Sequence, residues 1–205
     1  MPSTRSAIIQ DIKQMHAAGL ATIAYYYLDF RDVKKQDCYG LLSSLISQLA
    51  AESDSCYNIL SQLYSGNIRG RRKPSVDALK MCMTDMLNLP GKDPIYIIVD
   101  ALDECPISLG SQSARKELLE LIKKFVELNR PNVHLCVASR PEFDIRDVLK
   151  PLTLFSISLH EEAGQRQDMI DFVSSVVYSD RRMRTWRTED KLLAIRILSE
   201  SANGM

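Results

Sequence analysis

The chain has 205 residues, of which 45% are hydrophobic and 25% are charged, so its composition is that of an ordinary globular protein. Lysine plus arginine and aspartate plus glutamate each number 26, so no overall electrostatic field attracts nucleic acid or an anionic membrane. These values exclude an intrinsically disordered chain, a collagen-like repeat and a low-complexity protein.

The longest apolar stretches, at 95–99 and 133–138, have the length of strands and are too short to span a bilayer. The first residues lack the long apolar core of a signal peptide. The five cysteines are odd in number and form no C-x-x-C pair, which argues against a disulfide framework and a zinc site. We therefore expect a cytoplasmic protein with reduced thiols and no membrane partner.

The first half of the chain predicts several helices around one strand. Apolar residues at helical spacing at 6–18, followed by Gly19, predict that the chain opens in a helix. The β-branched and aromatic run at 21–30 predicts a buried or half-buried strand. Leucine and isoleucine recur at the spacing of an amphipathic helix at 41–49. Two more helices are predicted, at 53–65 and 75–88.

Between those last two helices lies a loop rich in glycine, proline and arginine, at 66–74. A solvated loop is the favoured interpretation, and an interaction patch or a localisation signal is the alternative.

The second half predicts an alternation of strands and helices. Nearly continuous apolar runs at 95–100 and 133–139 are typical of parallel strands buried on both faces. The alternating segment 154–159 predicts an edge strand. Helices are predicted at 113–129, 143–149, 165–178 and 188–201. This order predicts an α/β fold with a largely parallel sheet and a helical tail.

The sharpest motif is IYIIVDALDECP at 95–106, in which a buried strand ends at Asp100 and is followed by Asp103 and Glu104. Ligands of open α/β sheets bind beyond the carboxyl ends of the strands, where these acids lie. A magnesium ion that is held mainly by phosphates and water needs only one or two protein carboxylates. A polar turn after a buried strand accounts equally well for Asp100 alone, but not for the whole acidic string.

Together with other segments, this motif resembles the NACHT family of STAND-class P-loop NTPases, especially its fungal vegetative-incompatibility (heterokaryon-incompatibility) and nephrocystin-like branch. DALDECP at 100–106 is similar to the family's Walker B motif, and VASRPE at 137–142 is similar to its sensor-1 segment. Further similar segments are YYYLDFR at 25–31, LLSSLISQL at 41–49, DMIDFV at 168–173 and SANGM at 201–205.

The resemblance implies a role for each of four residues. Asp100 is the acid that organises magnesium, and Asp103 and Glu104 are the candidates for positioning the attacking water. Arg140 is the sensor that approaches the γ-phosphate, a task that suits a guanidinium because it stays charged and can fork across two oxygens. A surface salt bridge is the alternative interpretation of Arg140. The complete family domain is expected to bind magnesium with ATP or GTP.

The sequence departs from the family at the phosphate-binding loop, because no G-x-x-x-x-G-K-[ST] motif occurs in it. The helix that begins at SAIIQDI, at 6–12, places Met1 at about the position of the family's P-loop lysine. We therefore expect an incomplete ASCE-type P-loop fold that lacks the P-loop strand. We expect residues 1–160 to form the partial nucleotide-binding domain, and 161–205 to begin the helical region that follows.

The resulting hypothesis is a partial nucleotide-switch module for signal transduction that does not hydrolyse ATP or GTP alone, because the phosphate-cradling groups are missing. Its partners would be nucleotide, bound weakly or not at all, and related proteins. A non-catalytic fragment that associates with full-length relatives is the alternative. A nucleic-acid binder that uses the arginines at 69–72 or 181–187 is the third, and we expect no nucleic-acid partner.

The resemblance also implies a geometry at the carboxyl edge of the sheet. The strands at 95–100 and 133–139 should run parallel, so that Asp100 and Arg140 emerge at the same edge and face one cleft. We expect the family's P-loop strand to belong between them. Its loss would leave a slot of roughly 10 Å, unless the two strands pair directly.

Overall fold

The computed structural model describes residues 4–66, 73–91, 93–107, 113–157 and 163–201. Each predicted helix is present close to its predicted bounds. In chain order the helices and strands are α1 (Thr4–Ala17), β1 (Thr22–Tyr27), α2 (Cys38–Glu52), α3 (Asp54–Gly66), α4 (Val76–Leu87), β2 (Ile95–Asp100), α5 (Ala114–Glu127), β3 (Val133–Val137), α6 (Phe143–Leu149), α7 (Ala163–Ser179) and α8 (Thr188–Ser201).

The chain forms two compact units, each described by itself. One unit is Ile8–Thr153, which contains the sheet, and the other comprises Met1–Ala7 and Leu154–Met205.

The sheet of the first unit has three parallel strands in the order β1-β2-β3. Thr22 pairs with Ile95, and Ile95 pairs in turn with Val133, so the three strands begin in line. Each strand is reached through helices, which is the connection that parallel pairing requires. The α/β fold with a parallel sheet is therefore confirmed.

Strands β2 and β3 pair directly, so no gap the width of a strand lies between them. Val99 pairs with Val137, and the N–H of Ala138 donates to the Val99 carbonyl at 2.9 Å. The 10 Å slot is therefore absent, and the other expected arrangement, in which the two strands pair directly, is the one observed. Both edges of β2 are occupied, so a further strand could pair only at the outer edge of β1 or of β3.

The main hydrophobic core lies on the face of the sheet that carries Ile97 and Val99, both almost fully buried. Helix α2 contributes more buried side chains to this core than any other described element, among them Leu41, Leu42, Leu45, Ile46 and Leu49. The N-cap Asp37 starts this helix by accepting the Gly40 N–H at 2.8 Å. The opposite face carries a smaller cluster of Ile12, Ile23 and Ile98.

The outer edge of β1 is covered at its centre by a side chain of α2. Gln48 accepts the backbone N–H of Tyr25 at 3.0 Å and donates to the Tyr25 carbonyl at 2.8 Å. One carboxamide therefore satisfies both groups that a neighbouring strand would otherwise pair with.

Helix α1 ends as its sequence predicts. Gly19 has a φ of 69°, in the left-handed region, and the N–H of Leu20 donates to the carbonyl of Met15 at 2.9 Å. The glycine follows the last turn as a C-cap residue because it adopts this conformation without strain.

In the second unit α7 contacts α8, and a short 3₁₀ turn at Arg181–Met183 lies between them. No helix in the described part of the chain has both the length and the apolar character needed to cross a membrane.

The strand predicted at 154–159 is wrong for its described part, 154–157, which contains no strand. Leu154 is 92% exposed and Phe155 is 90% exposed. Alternating polarity indicates a strand only where a partner edge is available, and sequence alternation cannot report one. Residues 158 and 159 lie outside the described residues, as do the arginines at 69–72 and the segment 202–205.

Candidate functional site

The candidate site begins where β2 ends. Asp100 is the last residue of β2 and stands beside Tyr27 in the register. Its Oδ1 accepts the N–H of Ala101 at 2.8 Å. Ala101 has φ 57° and ψ 45°, a left-handed conformation that is rare and costly for a residue with a Cβ. The chain thus turns sharply immediately after Asp100.

A 3₁₀ turn, Leu102–Glu104, follows this reversal, and its first residue, Leu102, is buried in the core. The Leu102 side chain is fully buried, and its N–H donates to the Ala138 carbonyl at 3.1 Å. The buried leucine and the backbone bond fix the turn against the end of β3. Asp103 and Glu104 are therefore carried on a rigid support.

Asp103 contacts the loop after β3. Its Oδ1 accepts the backbone N–H of Arg140 at 2.9 Å, and its Oδ2 lies 3.4 Å from the Arg140 Nε. The Arg140 side chain is 72% exposed, so most of its guanidinium remains open to solvent. The structure thus places Arg140 against Asp103, whereas the acid expected to share a cleft with Arg140 was Asp100.

The two residues after Asp103 contact the loop after β1. Glu104 accepts the backbone N–H of Phe30 at 3.1 Å. The thiol of Cys105 donates to the Gln36 carbonyl at 3.1 Å. Three successive residues, Asp103, Glu104 and Cys105, therefore hold the loops that follow β1 and β3.

Arg115, in the first turn of α5, is 4% exposed and contacts the segment 102–105, which we call the acidic turn. Its Nη2 donates to the Asp103 carbonyl at 2.6 Å, and its Nε donates to the Cys105 carbonyl at 2.8 Å. Its Nη1 donates to the carboxylate of Glu142 and lies 3.4 Å from the Asp144 carboxylate. One guanidinium thus joins the turn after β2 to the start of α6.

These contacts surround a groove of about 350 Å³. Two arginines and three carboxylates line it, so it offers both signs of charge within a small volume. Its described lining is Phe30, Gln36, Asp103, Glu104, Cys105, Pro106, Arg115, Arg140 and Glu142. Asp100 lies at the same edge of the sheet but is not part of this lining.

The charge on Asp100 acts on two neighbours on its own face of the sheet. Burial, and then the Asp100 carboxylate, raise the pKa of the Tyr27 phenol. The same two causes, in the same order, raise the pKa of the Cys136 thiol. Both groups therefore remain neutral at physiological pH.

A metal ion at this edge would need ligands in addition to Asp100. The described residues include no group of three or more histidine, cysteine, aspartate or glutamate side chains arranged to hold a metal. One carboxylate with phosphate and water ligands is a usual magnesium environment, and the oxygen chemistry of Asp100 fits it.

The sequence did not single out Arg115, Phe30 or Gln36 for this site. Arg115 looks in the sequence like an ordinary charged residue in the first turn of an amphipathic helix. Its role comes from carbonyls 10 and 12 residues away and from carboxylates 27 and 29 residues away. No local pattern reports such contacts.

Residues 4–140 match the family model described as "Nephrocystin 3, N-terminal". The matched segment includes β1, β2 and β3 and ends at Arg140. No curated protein matches the chain. No solved structure matches it either.

Proposed function

The chain belongs to the nephrocystin 3 N-terminal family, and we propose that it carries the Walker B and sensor parts of a NACHT-type, STAND-class nucleotide switch. The observation that carries this proposal is the meeting of the acidic turn with Arg140 at one groove, at the carboxyl edge of a parallel sheet. Nucleotides bind at this edge in open α/β folds.

In this proposal Asp100 is the carboxylate that holds magnesium, directly or through a water. Magnesium, when bound with ATP or GTP, neutralises charge on the phosphates. Asp100 lies at the end of a buried strand, so its position is fixed by the sheet. A fixed carboxylate is what ordering a hydrated ion requires.

Arg140 is the proposed phosphate sensor. Its side chain is exposed and lines the groove. Among the described residues the guanidinium contacts Asp103, and it does so through Nε. The remaining N–H groups of the guanidinium can reach an anionic ligand without breaking the backbone contact that holds the loop. A forked guanidinium suits the oxygens of a terminal phosphate.

Asp103 and Glu104 are the proposed water-positioning acids, and their contacts add a second task. Each already accepts a backbone N–H from a neighbouring loop. A carboxylate has further lone pairs, so each acid can hold its loop and still accept a hydrogen bond from water. The two acids would thus form the floor of the nucleotide site.

The proposed activity of this chain is binding without turnover. Phosphoryl transfer depends on groups that cradle the β- and γ-phosphates, and the sequence contains no glycine-rich motif with a following lysine to supply them. We propose weak, magnesium-dependent nucleotide binding in the cytoplasm.

A non-catalytic association with related proteins is the second candidate, and the outer edge of β3 favours it. No described strand pairs with this edge. Unpaired strand edges are sites at which another chain can add a strand.

Isothermal titration calorimetry with ATP and with GTP, with and without magnesium, tests the leading proposal. We expect magnesium-dependent binding that is weakened at least about tenfold by Asp100→Asn and by Arg140→Gln, since each removes a charged contact. Arg146→Gln, an exposed arginine on α6, is the matched control and should bind as the unchanged protein does. Binding that survives both site substitutions, or no binding at all, would contradict the proposal.

A further inference from the structure

We propose that Arg115 is the positioning residue of this site, the group that sets where Asp103 stands relative to Arg140. The inference deepens the proposed function and rests on it, because positioning matters only if these residues meet a ligand. It assigns to α5 a part in the site that the acidic motif and the sensor segment do not describe.

The first step of the argument is what Arg115 does to the acidic turn. It donates to the carbonyls of both Asp103 and Cys105, at 2.6 and 2.8 Å. Two carbonyls two residues apart, held by one planar group, fix the orientation of the peptide units between them. The direction in which the Asp103 side chain leaves the turn is thereby set.

The second step is what Arg115 does to the loop that carries Arg140. Its Nη1 binds the carboxylate of Glu142 and approaches that of Asp144. The N–H of Glu142 in turn donates to the Arg140 carbonyl at 2.8 Å. Arg115 therefore holds both partners of the Asp103–Arg140 contact: Asp103 through its backbone carbonyl, and Arg140 through Glu142.

Burial explains why this task needs arginine. The Arg115 side chain is 5% exposed, whereas the Glu142 and Asp144 side chains are 38% and 44% exposed. A buried cation needs several fixed acceptors, and only the guanidinium fork reaches carbonyls on one side and carboxylates on the other. Lysine keeps the charge but offers a single nitrogen, so it cannot hold both sides.

Hydrogen exchange of single backbone amides in the full chain tests the inference. The Arg140 amide reports the contact with Asp103, and the Ala138 amide, which donates to Val99 at 2.9 Å, reports the sheet. In Arg115→Lys we expect exchange at Arg140 to be at least about tenfold faster, with exchange at Ala138 nearly unchanged.

A second variant keeps the test decisive if Arg115→Lys does not fold. Glu142→Ala combined with Asp144→Ala removes the half-exposed partners and leaves the buried arginine bound to the turn. It should also speed exchange at Arg140 selectively, while the exposed Arg146→Gln control should not. Unchanged exchange at Arg140, or an equal rise at Ala138, would overturn the positioning role.

Calorimetry with magnesium and ATP separates this inference from the proposed function. If the unchanged protein does not bind nucleotide but exchange at Arg140 responds as expected, the switch proposal fails and the positioning geometry stands. If the unchanged protein binds and Arg115→Lys neither speeds exchange nor weakens binding, the positioning role fails alone.

Discussion

Asp103 holds Arg140 through two contacts of unequal character. Its Oδ1 accepts the Arg140 backbone N–H at 2.9 Å, and its Oδ2 lies 3.4 Å from the Arg140 Nε. The Asp103 side chain is 11% exposed and that of Arg140 is 72% exposed. The backbone contact therefore stabilises the loop more than the ion pair does, because water screens the exposed guanidinium.

Substitution of each partner separates the two contacts. Asp103→Ala leaves the Arg140 N–H without its acceptor, so we expect the free energy of unfolding to fall by about 1–2 kcal/mol. Arg140→Ala removes only the exposed pair and should cost less than about 0.5 kcal/mol. Urea unfolding of both variants measures the difference. If Arg140→Ala proved the more damaging, the side-chain pair would be what holds the loop.

Ala101 tests the strain in the turn after Asp100. Its φ of 57° is unfavourable for a residue with a Cβ, so Ala101→Gly should relieve strain and stabilise the fold by about 0.5–1 kcal/mol in urea unfolding. Ala138→Gly is the matched control at the end of β3, where φ is not positive, and it should destabilise. Equal destabilisation by both glycines would show that the Ala101 conformation carries no strain.

Gln48 tests the protection of the β1 edge. Gln48→Ala leaves the N–H and the carbonyl of Tyr25 without the partners they have now. We expect a loss of about 1–2 kcal/mol in the free energy of unfolding, and increased self-association measured by light scattering. Gln14→Ala, an exposed glutamine on α1, should change neither quantity. Monodisperse Gln48→Ala of unchanged stability would mean that the edge needs no cover.

Alkaline pH should unfold the protein through its buried thiols and one phenol. Burial is the largest cause that raises the pKa of Cys82 and Cys105 to about 11, and that of Cys38 and Tyr26 to about 12. Above a pH of about 9 the thiols ionise in the unfolded chain while the folded protein keeps them protonated, so stability falls as pH rises.

In this window each such thiol lowers the free energy of unfolding by up to about 1.4 kcal/mol for each pH unit. Below a pH of about 9 none of this stability has been lost. Urea unfolding at a series of pH values measures the slope, and Cys82→Ala should make it shallower. A constant free energy of unfolding between a pH of about 8 and a pH of about 11 would rule this out.

Asp100 tests the expectation of binding without turnover. Asp100→Asn should leave ATP turnover by this chain at the background of the buffer, because a P-loop lysine is absent from the sequence. Phosphate release measured for both proteins checks this. Turnover that the substitution abolishes would show that the chain is a hydrolase after all.

The sequence by itself determined the helices and the three strands of the sheet. Their signals are local. The spacing of the apolar residues in α2 reports which face of the helix is buried, and the continuous apolar run of β2 reports burial on both faces, without reference to the rest of the chain. It also placed Asp100, Asp103 and Arg140 at one edge, because parallel strands carry their carboxyl ends to the same side.

The tertiary structure alone decided what those residues touch. The direct pairing of β2 with β3, the cover of Gln48 on β1 and the absence of a strand at 154–157 depend on which edges come together, and periodicity within a segment does not report that. Arg115 is the clearest case, because the same residue type in the first turn of a helix is usually solvated. Its burial and its four acceptors arise only when α5, the acidic turn and the start of α6 meet.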